Sequence, residues 1–174
     1  SNIKFTVNTK DQIRFGLSAL KGVGEAPTEE IVNERKNNGL FTDIYDMVHR
    51  LSLRSVNKKS MESLILGGAV DSFNQYNRAQ FLTPNPDTGD VFLETLMRYG
   101  ANYQAQNSSN QMSLFGDAMT EYIEKPKPPK IEEWGQLEKL EREKEVTGIY
   151  LSGHPLDDYK LEFKNFINCS LDKI

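Results

Sequence analysis

The chain has 174 residues, 37% hydrophobic and 26% charged, which is enough apolar material for one domain with a real core or two small ones, and excludes a disordered chain. No apolar run approaches the roughly 20 residues of a membrane span, no secretory leader is expected, and the lone Cys169 fits a reducing, cytoplasmic setting. Charge is uneven: residues 1–80 hold 11 Lys+Arg against 9 Asp+Glu, residues 81–174 hold 10 against 16, so an anion-binding surface belongs in the first half.

Ile3, Phe5 and Val7 alternate with polar residues, turn formers follow, and Ile13 and Phe15 resume the alternation, which predicts a short β-hairpin. From Gly16 the period becomes helical. Leu17, Ala19 and Leu20 fit a short helix halted by Gly22-Val23-Gly24, and residues 25–36 fit a second with Ile31 and Val32 inward and a stop at Asn38-Gly39. Thr42 is expected to cap a helix carrying Ile44, Met47, Val48 and Leu51 on one stripe, and Asn57 to cap the next, with Met61, Leu64 and Ile65 inward and Gly67-Gly68 at its end. Residues 16–75 thus read as two variations on one helix-turn-helix unit.

Residues 77–82 start another helix, a Pro/Asn/Gly run breaks it, and Asp90 is expected to cap a stretch with Phe92, Leu96 and Tyr99. Residues 104–110 are rich in Gln, Asn and Ser, and residues 124–130 in Pro and Lys, so 104–130 is expected to be a linker between a domain at 3–103 and C-terminal helices at 131–174. A helix is expected from Glu132, with Trp134, Leu137 and Leu140 inward and Glu138, Glu141, Arg142, Glu143, Lys144 and Glu145 on the wet side, ended by Gly148; a last helix runs from about Leu156 to Phe166. The predicted fold class is therefore mainly α: a short N-terminal hairpin, tandem helical hairpins, a flexible linker and C-terminal helices.

Catalysis fares poorly at this level. His49 and His154 fall in different segments, there is one cysteine, and no ligand cluster or Gly-Lys-Ser/Thr phosphate loop is present, so no catalytic or metal residue is assigned. Ala19-Leu20-Lys21-Gly22-Val23-Gly24 with Ile31-Val32 behind it is more telling. Two glycines around an apolar residue let successive amides and the next helix's N-terminus converge on one spot, which suits a phosphate and equally suits a tight helix connector. The pattern resembles the helix-hairpin-helix motif, which binds nucleic-acid backbone without reading sequence. A second copy, departing from Gly-x-Gly, stands at residues 64–69. The resemblance implies paired hairpins on a duplex, with Lys21, Gly22, Val23, Gly24, Gly67 and Gly68 in the turns and Lys58, Lys59 and Arg78 as neighbouring cations.

Gln111-Met112-Ser113-Leu114-Phe115 places three large apolar residues in a polar stretch, where they must either dock on a partner or fold back on the chain. It resembles the short motif by which bacterial replication proteins bind the sliding clamp, with Leu114 and Phe115 entering a pocket and the Gln111 amide bonding at its edge.

Together with Ile13-Arg14-Phe15-Gly16-Leu17, Asn57-Lys58-Lys59 and Gly148-Ile149-Tyr150-Leu151-Ser152-Gly153-His154-Pro155-Leu156, these motifs resemble the alpha subunits of bacterial replicative DNA polymerase III across nearly the whole chain. The resemblance implies a non-catalytic piece beyond the palm and fingers and before an oligonucleotide-binding barrel. The parent would be a DNA-directed DNA polymerase needing divalent metal ions, while this piece needs no cofactor; expected partners are double-stranded DNA, the sliding clamp and other replisome subunits. Two other readings stand beside it: an accessory repair or recombination protein with paired hairpins, and a structural spacer. The 152–155 run has no derivable role beyond a Gly turn and a Pro at a helix start.

Overall fold

The computed structural model describes residues 1–112 and 124–166, with side chains for all of these except 108–112 and Phe163. It is mostly helical, with one two-stranded sheet. Strands β1 (Thr6–Val7) and β2 (Ile13–Arg14) pair antiparallel with Val7 opposite Ile13, and the Asn8 carboxamide closes the turn by accepting from the Lys10 and Gln12 amides. A 3₁₀ turn at Leu17–Ala19 leads through Gly22-Val23-Gly24 into α1 (Glu25–Asn38), which stops at Gly39 as expected.

Helix α2 (Ile44–Arg50) buries Ile44, Met47 and Val48 with Leu51 behind them. Its N-cap is Asp43 rather than Thr42: the Asp43 side chain accepts from the Asp46 amide, and the Thr42 amide donates to Asp46. A carboxylate is the stronger acceptor, and it stands one residue nearer the helix. Helix α3 (Lys58–Leu66) is capped by Asn57 and buries Met61, Leu64 and Ile65, and α4 (Arg78–Leu82) opens with a capping box between Asn77 and Gln80.

Helix α5 is where the expected layout changes. It runs Phe92–Met112, with Val91 rather than Asp90 taking the first helical bonds, and continues well past residue 103 into the stretch read as linker. Polar composition suggested a loop, but Gln104 has a specific task. Its carboxamide nitrogen lies 2.8–3.2 Å from the carbonyls of Val48, His49 and Leu51, the orphan acceptors at the end of α2. One turn earlier, Gly100 lets the two helices meet closely, since a Cβ there would stand 2.9 Å from both Val48 Cβ and the Val48 carbonyl oxygen.

Residues 124–135 run extended, as their prolines require, and lie against the helices. Tyr45 donates to the Pro126 carbonyl (2.6 Å), Gln80 to Pro129 (2.9 Å) and Asn77 to Ile131 (3.1 Å). Burial and the hydrogen bond with Tyr76 push the Tyr45 phenol up, which keeps it a donor at all ordinary pH. Helix α6 (Gln136–Thr147) begins four residues later than its amphipathic pattern suggested, and Leu137 is 53% exposed instead of inward. A 3₁₀ turn (Pro155–Tyr159), opened by a capping box between His154 and Asp157, leads into α7 (Lys160–Phe166). Among the described residues no helix is long and apolar enough to cross a membrane.

Two outcomes follow from the α2 and α5 contact. Gly100→Ala gains about 1 kcal/mol of helix propensity but drives a methyl into a backbone oxygen, which costs ~1–3 kcal/mol, so urea denaturation should show a net loss of stability at unchanged m-value. His49 stacks on Tyr103 (centroids 3.6 Å apart) with a buried Nε2 that has no partner among the described residues; burial, then the nearby Lys125, hold its pKa below the ordinary 6.5. Protonation therefore favours the unfolded chain. The thermal midpoint should be level above about pH 6.5 and fall as the pH drops below it, and His49→Gln should flatten that decline.

Candidate nucleic-acid interface

The first hairpin has the geometry that its glycines suggest. Gly22 and Gly24 take φ of +87° and +75°, a region costly for any residue with a Cβ, and Val23 between them is 2% exposed, plugged into the core beside Ile31 and Val32. Its carbonyls are tied inward. The Ser60 hydroxyl of α3 reaches the carbonyls of Gly22 (3.3 Å) and Val23 (3.4 Å), and Thr28 Oγ1 donates to Gly24 at 2.6 Å. The amides of Gly22, Gly24, Glu25 and Ala26 find no acceptor among the described residues, whereas the Lys21 amide is spent on the Val146 carbonyl at the end of α6 (2.8 Å). This exposed turn can offer donors to a phosphate oxygen, and the N-terminus of α1 adds partial positive charge.

Lys21, Lys58 and Lys59 are all exposed. The Lys59 stem lies over the turn, its Cε 3.6 Å from where a Gly22 Cβ would be, so α3 brings a cation to the hairpin from 37 residues away. Lys58 faces α5 and forms an ion pair with Glu94.

The second hairpin does something else. Gly67 and Gly68 end α3 in a Schellman arrangement, Gly68 N to Ile65 O (3.0 Å) and Ala69 N to Leu64 O (2.8 Å), so their amides are used internally. Their missing side chains also make room. A Cβ on Gly67 would meet Leu20 Cδ2 at 2.7 Å, and one on Gly68, at φ +73°, would meet Arg78 Nη2 at 2.3 Å. Gly67 and Gly68 are half-buried and Ala69 is exposed, but with these amides spent the second turn offers a phosphate fewer free backbone donors than the first.

Arg78, expected as a neighbouring cation for DNA, is placed differently from Lys58 and Lys59. It is 5% exposed, with Asp71 bonded to Nε and Nη2 (2.6–3.1 Å), the Leu66 carbonyl to Nη1 (2.9 Å) and Glu143 Oε1 at 3.4 Å. Its guanidinium is a buried cation, enclosed by protein acceptors and inaccessible to DNA. Glu143, expected on the wet face of α6, is 2% exposed, and its other oxygen accepts from the Leu151 amide (3.0 Å), the Ser152 amide (2.8 Å) and Ser152 Oγ (3.0 Å). This gives the 152–155 run a structural role, since Glu143 pins its start and the His154 cap turns the chain into the last helices. A sequence signal for Glu143 existed: it stands three residues after Leu140 and three before Val146, in the middle of the buried stripe.

Gln111 and Met112 lie in the last turn of α5, with side chains outside those described, and Ser113, Leu114 and Phe115 lie outside the described residues altogether. Among the described residues no group of three or more His, Cys, Asp or Glu is placed to share a metal ion.

Removing one partner of a buried ion pair strands the other. Arg78→Ala and Glu143→Ala should each cost ~3–5 kcal/mol in urea denaturation, and the joint replacement Arg78→Met with Glu143→Leu should cost less than either; a near-wild-type Arg78→Ala would contradict the buried network.

A helix-hairpin-helix motif family model matches residues 1–81, the stretch containing both hairpins and α1 to α3. The DNA polymerase III subunit alpha of Vibrio cholerae is 32% identical over 98% of the chain, that of Neisseria meningitidis 37% over 100%, and that of Treponema pallidum 38% over 85%. The chain spans 14% of the length of the first two relatives and 12% of the third. Along nearly its whole length, then, the chain is homologous to one segment of the DNA polymerase III alpha subunits.

Proposed function

We propose that the chain is a non-catalytic segment of a bacterial replicative DNA polymerase that holds duplex DNA by its backbone and ties the enzyme to the sliding clamp. The observation that carries the DNA half is the exposed Gly22-Val23-Gly24 turn, with unspent amides, Lys21 beside it and Lys59 laid across it. Amides and ammonium groups meet phosphate oxygens that every sequence presents alike, so this grip carries no base preference. With the amides of the second turn spent on ending α3, the grip rests mainly on the first turn and the head of α3 instead of on two equivalent turns. Few phosphates are then neutralised, the acidic second half repels more, and the segment binds weakly alone.

The clamp half rests on Gln111, Met112, Ser113, Leu114 and Phe115 and their resemblance to clamp-binding motifs. A short peptide anchored by Leu114 and Phe115 in a pocket supplies a second weak contact, and linking two weak contacts raises the effective concentration of each, which is how a polymerase stays on its template. We assign nucleotidyl transfer and its divalent ions to the rest of the parent chain, and place the complex with the other replisome subunits in the cytoplasm.

Fluorescence anisotropy tests both halves. Affinity for a labelled duplex should fall linearly with log salt, with a slope of about −2 to −3, corresponding to roughly two or three phosphates, and be equal for unrelated sequences; Lys59→Ala should lower the slope by about one phosphate at unchanged thermal midpoint. A flat salt response removes the duplex reading. Binding to the sliding clamp should be abolished by Leu114→Ala with Phe115→Ala, and clamp affinity indifferent to that double change removes the tether.

A further inference from the structure

Of the three lysines at the interface, Lys21 and Lys59 make no ion pair among the described residues, whereas Lys58 is held by Glu94, 36 residues away. The contact is tertiary. Glu94 follows Leu93, which is fully buried, in the first turn of α5, so its backbone is fixed by the core, and the helix N-terminus favours its negative charge. Glu62, one turn along α3 from Lys58, adds a second negative charge on the same side, and the two carboxylates, Glu94 first, raise the Lys58 pKa. Lys58 and Glu94 side chains are both 54% exposed, so the pair is of the weak, solvent-screened kind that a phosphate can displace.

We propose that Glu94 is a built-in competitor for Lys58 that limits how tightly this segment holds duplex DNA. The inference rests on the duplex-binding reading above and concerns the occupant of Lys58 when no DNA is present. A phosphate reaching Lys58 must break the pair and then sit beside a displaced carboxylate anchored at the head of α5. Such an arrangement keeps the grip loose on free DNA while leaving a third cation available when other contacts hold the duplex in place.

The test is duplex anisotropy on the whole 174-residue chain with Glu94→Gln, which keeps shape and removes charge, together with Lys58→Ala, the double variant, and Glu62→Gln as a charge-matched control. Glu94→Gln should tighten binding about two- to fivefold at low salt and steepen the salt slope by up to ~0.9, with the gain fading at high salt. Lys58→Ala should weaken the wild type little and cancel the Glu94→Gln gain, a coupling that the double-mutant cycle reads directly. Equal affinities for wild type and Glu94→Gln across the salt range overturn the proposal and leave duplex binding standing. A gain that survives in the double variant, or that Glu62→Gln matches, also overturns it, because net charge alone would then explain it. If no variant binds duplex at low salt, the duplex-binding reading fails and the proposal falls with it.

Discussion

Arg78 and Glu143 are a cation and an anion that are almost fully buried, and each is tolerable there only because the other, with several further partners, is in place. Desolvating either group alone would cost several kcal/mol. Arg78 collects Asp71 and the Leu66 carbonyl on the hairpin side, and Glu143 collects the Leu151 and Ser152 amides on the C-terminal side. The pair therefore joins the end of α3, the second hairpin, α4, α6 and the turn at residues 151–152. Gly68 has no side chain because Arg78 fills that space.

This connection changes what the two hairpins are for. The first, also tied to α6 through Lys21 and Val146, keeps its glycine turn exposed. The second has spent its amides on closing α3 and lent its open face to the ion pair. One hairpin keeps free backbone donors at its turn and the other uses its own and makes room for Arg78, although both follow from the same grammar of a helix ended by glycine. Docking of residues 124–135 on Tyr45, Asn77 and Gln80 completes the connection, so the helices after 131 are attached to the hairpin region along a continuous seam instead of standing apart from it.

Some of this was legible beforehand because the physics is local. Asn57 caps α3, Gly39 and Gly148 end their helices, and the buried stripes of α2 and α3 follow from capping chemistry and a 3.6-residue period. The misjudged positions share a cause. Gln104 and the proline run were read as linker, Glu143 as solvated and Arg78 as a neighbouring cation for DNA, yet each has at least one partner 30 or more residues away. Local composition says what a side chain can bond to and leaves open which partner the fold delivers.

The sequence by itself determined the helical class, the element order and the first hairpin as a turn with free backbone donors beside cations, since glycine φ preference, capping and periodicity are properties of a few neighbouring residues, while its motifs carried the resemblance to the family. Only the tertiary structure decided that Gly68 makes room for Arg78, that Arg78 is buried with Glu143, and that Lys58 is held by Glu94. Those outcomes depend on which distant charges the packed helices bring within 4 Å of each other and how much water remains there, a quantity defined only once the chain has folded.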